Sequence, residues 1–592
     1  MILPILVLGV AALIASSSLF KHTRLLVYIA VSLGLWQTAW LLITLIDRTL
    51  LVAQDSAGVY TLSALVTLIA VIILARYKKP TIPLGRGRHD VLGDISCIVV
   101  TIIVLVGASV VIRANGFAEN SWITHGFYNG DTATFMALTR KSFDTAGLVN
   151  QNPFAQNSSL EYPTLLHASI ASLFTGGSGS WLYTLPALAY ATIIMTVPLF
   201  FFLWQQARVE KTSHQILPTI IIGLVLTASW DSFIYPQSHF FLTGLFILQA
   251  GVLLQSRRQS GNSQYIYDGI AAAVAVVLLF SNAVTGTAAV ALFGIHCLQR
   301  ILTTKVPRER VGYALLIAFF ALMYITATPG NGSLRGFGFS YTAALDMVRL
   351  TPLLILLFAG AYMERKKQIE LIPGVAILSS LAFIVFLFST RNIVVANASR
   401  FFYHGLLIGF PLMLAPLEKV WSGIKSIYTE KSITTVERLS FALISLTGLG
   451  LLLTPSLSSI AGAYDNLLFK DRQVIDTADR TALWWIEDNT APDAVFLAAP
   501  DSPFSIPAFT GRAMLRTDYW LSPDDNVLND VRESFTGDIA AQEQVVGLVD
   551  YILLQEDERP YFEPLPAQYE NVFDSNAVVI YQVARKAATE EL

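Results

Sequence analysis

One feature constrains this chain more than any other: a run of mostly apolar residues recurs along nearly its whole length. Such runs lie near 2–20, 25–46, 57–76, 95–113, 180–205, 215–231, 236–256, 265–281 and 284–300, then near 311–328, 345–363, 371–389, 401–418 and 438–460. A membrane-spanning helix needs about 20 such residues, so the pattern predicts about fourteen spans. Composition agrees, with 54% hydrophobic and only 14% charged residues, against about 25% charged in soluble domains. The net charge of −3 carries no basic excess that would suit nucleic acid. Lys21 and Arg24 follow the first apolar run instead of preceding it, the reverse of a secretory leader, so that run reads as a retained helix. Cys97 and Cys297 both fall inside apolar runs, which argues against a disulfide framework and a cysteine metal site.

Charge then orients the spans. Connections carrying Lys21/Arg24, Arg76 to Arg88, Arg208/Lys211, Arg257/Arg258, Lys305 to Arg310, Arg365 to Lys367 and Lys419 to Arg438 alternate with connections poor in basic residues. With Arg300 the basic side holds about 22 Lys and Arg and the other about eight, which places the basic side in the cytoplasm. The N-terminus is then expected outside, and so is the loop after the fourth span. "YPTLLHASIASLF" (Tyr162–Phe174) is apolar but short. Were it a span, Arg208 and Lys211 would move outside, so it reads as an interfacial or re-entrant helix.

Past residue 465 the character changes. "TADRTALWWIEDN" has helical spacing after a Thr cap, while "AVFLAAP", "VDYILLQ" and "AVVIYQV" are short β-branched runs between turn residues. Alternating helices and strands predict a small α/β domain. An even number of spans places it on the outer side with the N-terminus.

The loop between the fourth and fifth spans holds the chemistry. It reads "NGDTATFMALTRKSFDTAGLVNQNPFAQNSSLEYP" (Asn129–Pro163), with Asp131 and Glu161 flanking the basic pair Arg140 and Lys141. A carboxylate at the boundary between lipid and water can take a proton from a hydroxyl acceptor. Asp131 also precedes a helical apolar pattern, where Asp is favoured as a cap. The two readings are compatible.

In layout, a span is followed by an outer loop with an early Asp, a helix, "NP", an aromatic-Pro pair, an amphipathic stretch ending in Gly and the next span. This order resembles the membrane-embedded GT-C glycosyltransferases, which use sugars carried on polyprenyl phosphates. The resemblance covers about residue 95 to the C-terminus. It implies that Asp131 of "YNGDTATF" is the catalytic acid. It also implies that Glu161 and Tyr162 of "EYPTLLHASIASLFTGG" lie beside the substrate cavity with Pro163, and that Arg400 of "ASRFFYHGLLIGFPLMLAP" meets the donor phosphate, with Tyr403 and His404 next to it. Residues 1–94 carry three spans ahead of the family's usual first helix. They depart from the pattern and read as accessory helices, before a core at 95–464 with its outer loop at about 114–179.

Arg400 has a physical reading of its own. An ionised Arg near a membrane boundary needs a partner or water, and a guanidinium matches phosphate oxygens bidentately. The alternative is snorkelling to lipid headgroups. Arg391 is the second candidate, and Arg140 and Lys141 are further substrate-binding candidates. Arg335 lies in the glycine-rich loop "PGNGSLRGFGFS". His239 with Asp231 forms a weak site for substrate or a divalent cation. Asn282 reads as turn chemistry, and His167 faces either the cavity or the headgroups. "WWIED" (Trp484–Asp488) lacks the Trp-Trp-Asp order of an acceptor-binding signature and reads as core tryptophans in a tail helix. "SPDD" (Ser522–Asp525) reads as a turn, and His125 and His296 give no signal.

The expectation is a polytopic α-helical membrane protein with an extracytoplasmic α/β tail, in the cell membrane. It would move a sugar from a polyprenyl-phosphate donor to a glycan or lipid-linked acceptor, among membrane lipids. An oligosaccharide transferase or polymerase on the same fold is the near alternative. A transporter, flippase or envelope-assembly scaffold is the distant one, disfavoured because the charges gather at one face instead of the midplane.

Overall fold

The structure is a computed structural model. It describes residues 2–20, 25–51, 56–77, 88–114, 116–118, 121–125, 131–145, 147–160, 162–174, 181–207, 216–228, 238–327, 341–365, 371–388, 392–429, 434–469, 472–475, 477–500, 506–518, 522–523, 525–562, 569–575 and 577–583. Two compact units share the chain: one of 1–45, 55–110 and 187–465, the other of 46–54, 111–186 and 466–592.

The first unit is helical. Each apolar window expected to span is a helix: α1 Ile2–Leu19, α2 Leu25–Ile46, α3 Ser56–Tyr77, α4 Arg88–Ala114, and, after the loop helices α5 Asp131–Asp144 and α6 Leu165–Leu173, α7 Trp181–Ala207 and α8 Ile216–Ala228. They continue as α9 Ser238–Arg257, α10 Asn262–Ser281, α11 Ala283–Thr303, α12 Pro307–Ala327, α13 Tyr341–Met363, α14 Leu371–Phe388, α15 Asn392–Thr429 and α16 Thr435–Phe469. Among the described residues, 8 helices are long and apolar enough to cross a membrane, and further helices carry shorter apolar stretches. Exposed Leu315, Leu322 and Ile325 on α12, and Leu439, Leu443 and Ile444 on α16, suit contact with lipid. The first two helices pack among the later ones: Tyr267 donates to the Leu19 carbonyl, Phe20 meets Phe202 edge-on at 5.2 Å, and Gln37 donates to the Phe241 carbonyl at 3.4 Å. Gly360 of α13 lies directly against the Leu412 carbonyl of α15, an approach that a Cβ would block.

At the basic end of α9 to α12 lies a buried polar network that the sequence did not announce. Asp268 accepts from Ser256, from His296 Nε2 at 2.8 Å and from the Tyr313 hydroxyl at 2.6 Å. Arg300 reaches the Ser256 carbonyl at 3.0 Å, and Gln264 donates to Tyr313 at 2.7 Å. Inside a bilayer such groups are costly unless mutually satisfied, and here they join four helices.

The second unit builds two sheets. Strands β1 (Gly116–Ala118), β2 (Ser121–His125) and β3 (Arg472–Ile475) form an antiparallel sheet in the order β1-β2-β3. Trp122 pairs with Ile475 and His125 with Arg472, so the loop and the tail share one sheet. The tail's other elements are α17 Thr477–Asn489, β4 Val495–Leu497, the short helix α18 Ile506–Thr510, β5 Ala513–Met514, α19 Asn526–Ser534, α20 Ile539–Val546, β6 Tyr551–Gln555, α21 Arg559–Phe562, β7 Tyr569–Asp574 and β8 Val578–Val583. The second sheet runs β5-β4-β6-β8-β7, with β5, β4 and β6 parallel and β8 and β7 antiparallel additions. Its core gathers Val495, Leu497, Val531, Ile552, Leu554 and Val579. The helix and strands expected in the tail are present. The tryptophan pair divides: Trp485 rests on Phe573 at 5.8 Å, but Trp484 is 50% exposed, with the Arg480 guanidinium over its ring. Trp484 is therefore not a core residue. α17 turns one face to the sheet, and Ala482, Leu483 and Ile486 already fill it.

Candidate functional site

Asp131 opens α5. A helix N-terminus is where a carboxylate is stabilised, both as a cap and by the macrodipole. From Thr134 to Ser142 every side chain of α5 is buried, so the helix is held along most of its length. A nine-residue helix, α6, packs beside it. At about 1.5 Å per residue α6 is far too short to cross a bilayer, as the charge alternation required.

The basic pair of α5 is committed to the tail. Arg140 donates to Asp144 at 3.2 Å and to Glu487 on α17 at 3.0 Å, with its side chain only 4% exposed. Lys141 donates to the Pro492 carbonyl at 3.3 Å. Burial depresses the Lys141 ammonium below the usual lysine range; Asp144 opposes that and Arg512 reinforces it. Arg512 is buried beside them and donates to the Thr490 hydroxyl and to the carbonyls of Thr490, Glu487 and Thr510. Gly511 packs directly on Arg140. Its φ of +75° suits glycine, and an added Cβ would lie 3.0 Å from Arg140 Cγ.

A second attachment follows. Residues 150–160 turn back on themselves, with Gln151 bridging Ser159 and Asn157 at φ 59°. Met514 donates to the Pro153 carbonyl at 3.0 Å, and Gln156 donates to the Met514 carbonyl at 3.0 Å. Arg516 closes this edge, donating to the Gln156 carbonyl at 2.7 Å while gripping Asp525, which caps α19 by accepting from Leu528. Of "SPDD", read as a turn, Ser522 lies in a bend and Asp525 is the cap, while Asp524 lies outside the described residues. At the other end of α5, Arg48 donates to the Thr145 carbonyl, a basic side chain on a helix C-terminus.

His167 faces neither a cavity nor the headgroups. It is fully buried against α5, with Nδ1 3.0 Å from the Thr139 hydroxyl and its ring 5.1 Å from that of Phe135. Burial pushes its imidazole down to about 3, partly offset by a hydrogen bond to the Phe135 backbone. It is neutral at any physiological pH. Tyr162 is half-buried on the cluster of Leu138, Val149 and Leu160, its ring 6.2 Å from His167.

In the helical unit, Arg400, Tyr403 and His404 stand at helical spacing on α15, which puts them on one face. Arg400 is half-buried; Tyr403 and His404 are buried. His404 Nδ1 lies 2.6 Å from the Arg400 carbonyl, and its ring meets Phe246 of α9 edge-on at 4.7 Å. Asn282 caps α11, accepting from Val284 and Thr285. Glu161, Asp231, Arg335 and Arg391 lie outside the described residues, as do the side chains of Asp131 and His239, although His239 falls in the first turn of α9. Among the described residues no group of three or more His, Cys, Asp or Glu side chains is arranged to hold a metal.

Sequence reasoning missed Glu487, Arg512, Arg516 and Arg48. Each lies far along the chain from the loop it holds, so no local pattern marks it.

No protein-family model matches the chain, and no curated protein does. Solved structures do. ArnT from Cupriavidus metallidurans bound to undecaprenyl phosphate is 12% identical, over 82% of this chain and 97% of that one, with a TM-score of 0.42. The same protein in the apo state is 12% identical over 81% and 97%, with a TM-score of 0.44.

Proposed function

We propose that this membrane protein is a GT-C-like glycosyltransferase, taking a sugar from a polyprenyl-phosphate donor and passing it to a hydroxyl of a glycan or lipid-linked acceptor. The observation that carries the reading is Asp131 at the start of a helix whose remaining turns are buried and clamped. A general base must stay within hydrogen-bond reach of the proton it removes, and a fixed helix N-terminus holds a carboxylate in that way. The sequence resemblance assigns the same acid.

The reaction balances without a cofactor. The acceptor oxygen forms a bond to the anomeric carbon as the bond from that carbon to the donor phosphate breaks. Asp131 takes the acceptor proton, and the electron pair of the broken bond leaves on the polyprenyl phosphate. That leaving group already carries stable negative charge, so one or two cations suffice to neutralise it. No strong general acid is needed, unlike a glycosidase with its alkoxide leaving group. Arg400 supplies a cation, with Tyr403 and His404 shaping the surface around it; Arg391 and His239 are the further contacts, and Glu161 and Tyr162 position the acceptor. The outer face of the cell membrane, where the charge alternation puts the loop, is the side on which the reaction runs.

The test is donor binding and consumption in lipid nanodiscs, across a panel of polyprenyl-phosphate sugars. Saturable binding of at least one donor, weakened about tenfold or more by Arg400→Ala, is expected, since a buried phosphate contact is worth at least 1.4 kcal/mol. If no donor on a broad panel binds, and Arg400→Ala behaves as wild type, the protein is a transporter or scaffold.

A further inference from the structure

The basic end of the helical unit carries a second feature, away from the loop. Helices α10 and α12 both pack on α11, and a cavity of about 590 Å³ opens between α10 and α12. Its apolar wall is made by Ala272, Leu316 and two glycines, Gly269 and Gly312. A Cβ at either glycine would meet nothing within 4 Å, so the groove is open where larger residues would close it. The rim is polar. Tyr265, Arg308 and Glu309 stand there, and the Tyr313 hydroxyl and Asp268 form the floor. Glu309 accepts from Tyr265 at 2.8 Å and from Thr304 at 2.5 Å, which fixes its carboxylate at the rim. Arg308 is exposed and makes no hydrogen bond or ion pair among the described residues.

We propose that this groove holds one zwitterionic, amine-headed phospholipid. Charge complementarity beside an apolar slot selects this occupant. The guanidinium of Arg308 has no hydrogen bond or ion pair among the described residues to displace and matches a phosphate. Beside it, Glu309 keeps lone pairs free after its two hydrogen bonds, because an ionised carboxylate offers about four acceptor sites. A phosphate joined to an ammonium two carbons away satisfies both charges. A glycerol-headed anionic lipid satisfies Arg308 through its phosphate but offers Glu309 only neutral hydroxyls and no cation. The polar floor adds a hydroxyl, and the glycine-lined wall takes the first methylenes of a chain. This site belongs to the lipid-facing helices and is independent of the transferase reading.

The experiment is native mass spectrometry of the full chain in detergent with equimolar phosphatidylethanolamine and phosphatidylglycerol of matched chains. One phosphatidylethanolamine retained in preference is the expected result. Gly312→Leu fills the slot and should reduce that retention about tenfold, the consequence of losing one well-packed contact set. Arg308→Ala should weaken both lipids, and Glu309→Gln should erase the preference between them. Gly294→Leu serves as the control, because Gly294 on α11 also has open space at its Cβ but does not line the groove. Equal retention of the two lipids by wild type, or unchanged retention in Gly312→Leu, overturns the proposal. So does an equal loss in Gly294→Leu, which would make the effect general to any added bulk.

Discussion

A single histidine shows how burial turns into pH dependence. His167 titrates near 6.5 when exposed and near 3 in the folded unit, because burial disfavours its charged form. Above pH 6.5 both states hold it neutral. As pH falls from about 6.5 toward 3 the unfolded chain gains a proton that the folded one refuses, so stability falls by about 1.4 kcal/mol per pH unit. Thermal midpoints of wild type and His167→Gln, compared between pH 7.5 and 5, should converge as the pH drops, with wild type showing the steeper loss. Parallel slopes would show that His167 does not titrate on unfolding. Gly511 makes a second case. Gly511→Ala places a Cβ in a left-handed backbone against Arg140, and should destabilise the unit by about 1–2 kcal/mol. A midpoint unchanged in Gly511→Ala would contradict the packing described. Neither residue was legible beforehand: His167 had two readings open, and nothing in the sequence tells a structural glycine from a loop glycine.

At the scale of elements, α5 is where loop and tail become one. Arg140 and Lys141 stand in the sequence as candidates for substrate contact, beside the acid in the outer loop. The fold instead gives them to Glu487, Asp144 and Pro492. The reason is packing: α5 is buried nearly all round, and a cation on a buried helix needs a partner in its own unit. Glu487→Gln should cost about 1–3 kcal/mol, since Arg140 keeps Asp144 but loses a charge-assisted bond. Hydrogen exchange should quicken along 131–144 in the same variant. A double-mutant cycle with Arg140→Met should return a coupling of about 0.5–3 kcal/mol. A coupling of zero would mean that the pair is ornamental. The N-terminal half of α5 and the tail's strands were readable from caps and periodicity. Partners separated by 347 residues, as Arg140 and Glu487 are, were not.

For the whole molecule, the sequence pattern located every long apolar helix, because period and length are local properties that lipid enforces. The division of the chain was less visible. Residues 1–45 and 55–110 share a compact unit with 187–465, and the tail shares its own with residues 46–54 and 111–186. Sheet pairing and ion pairs across hundreds of residues decide this, and no window of sequence contains them. One consequence is that the tail is part of the scaffold for Asp131. Arg516→Ala, which releases Gln156 and Asp525 together, should raise exchange in 150–160 and lower transfer, while leaving donor binding near wild type.

The measurement that bears most directly on the function is single-turnover sugar transfer in nanodiscs preloaded with a bound donor, comparing wild type with Asp131→Asn. The account predicts that the variant retains the donor and loses transfer by about 10²- to 10⁴-fold, the usual contribution of a positioned general base. Transfer by Asp131→Asn at the wild-type rate would contradict it.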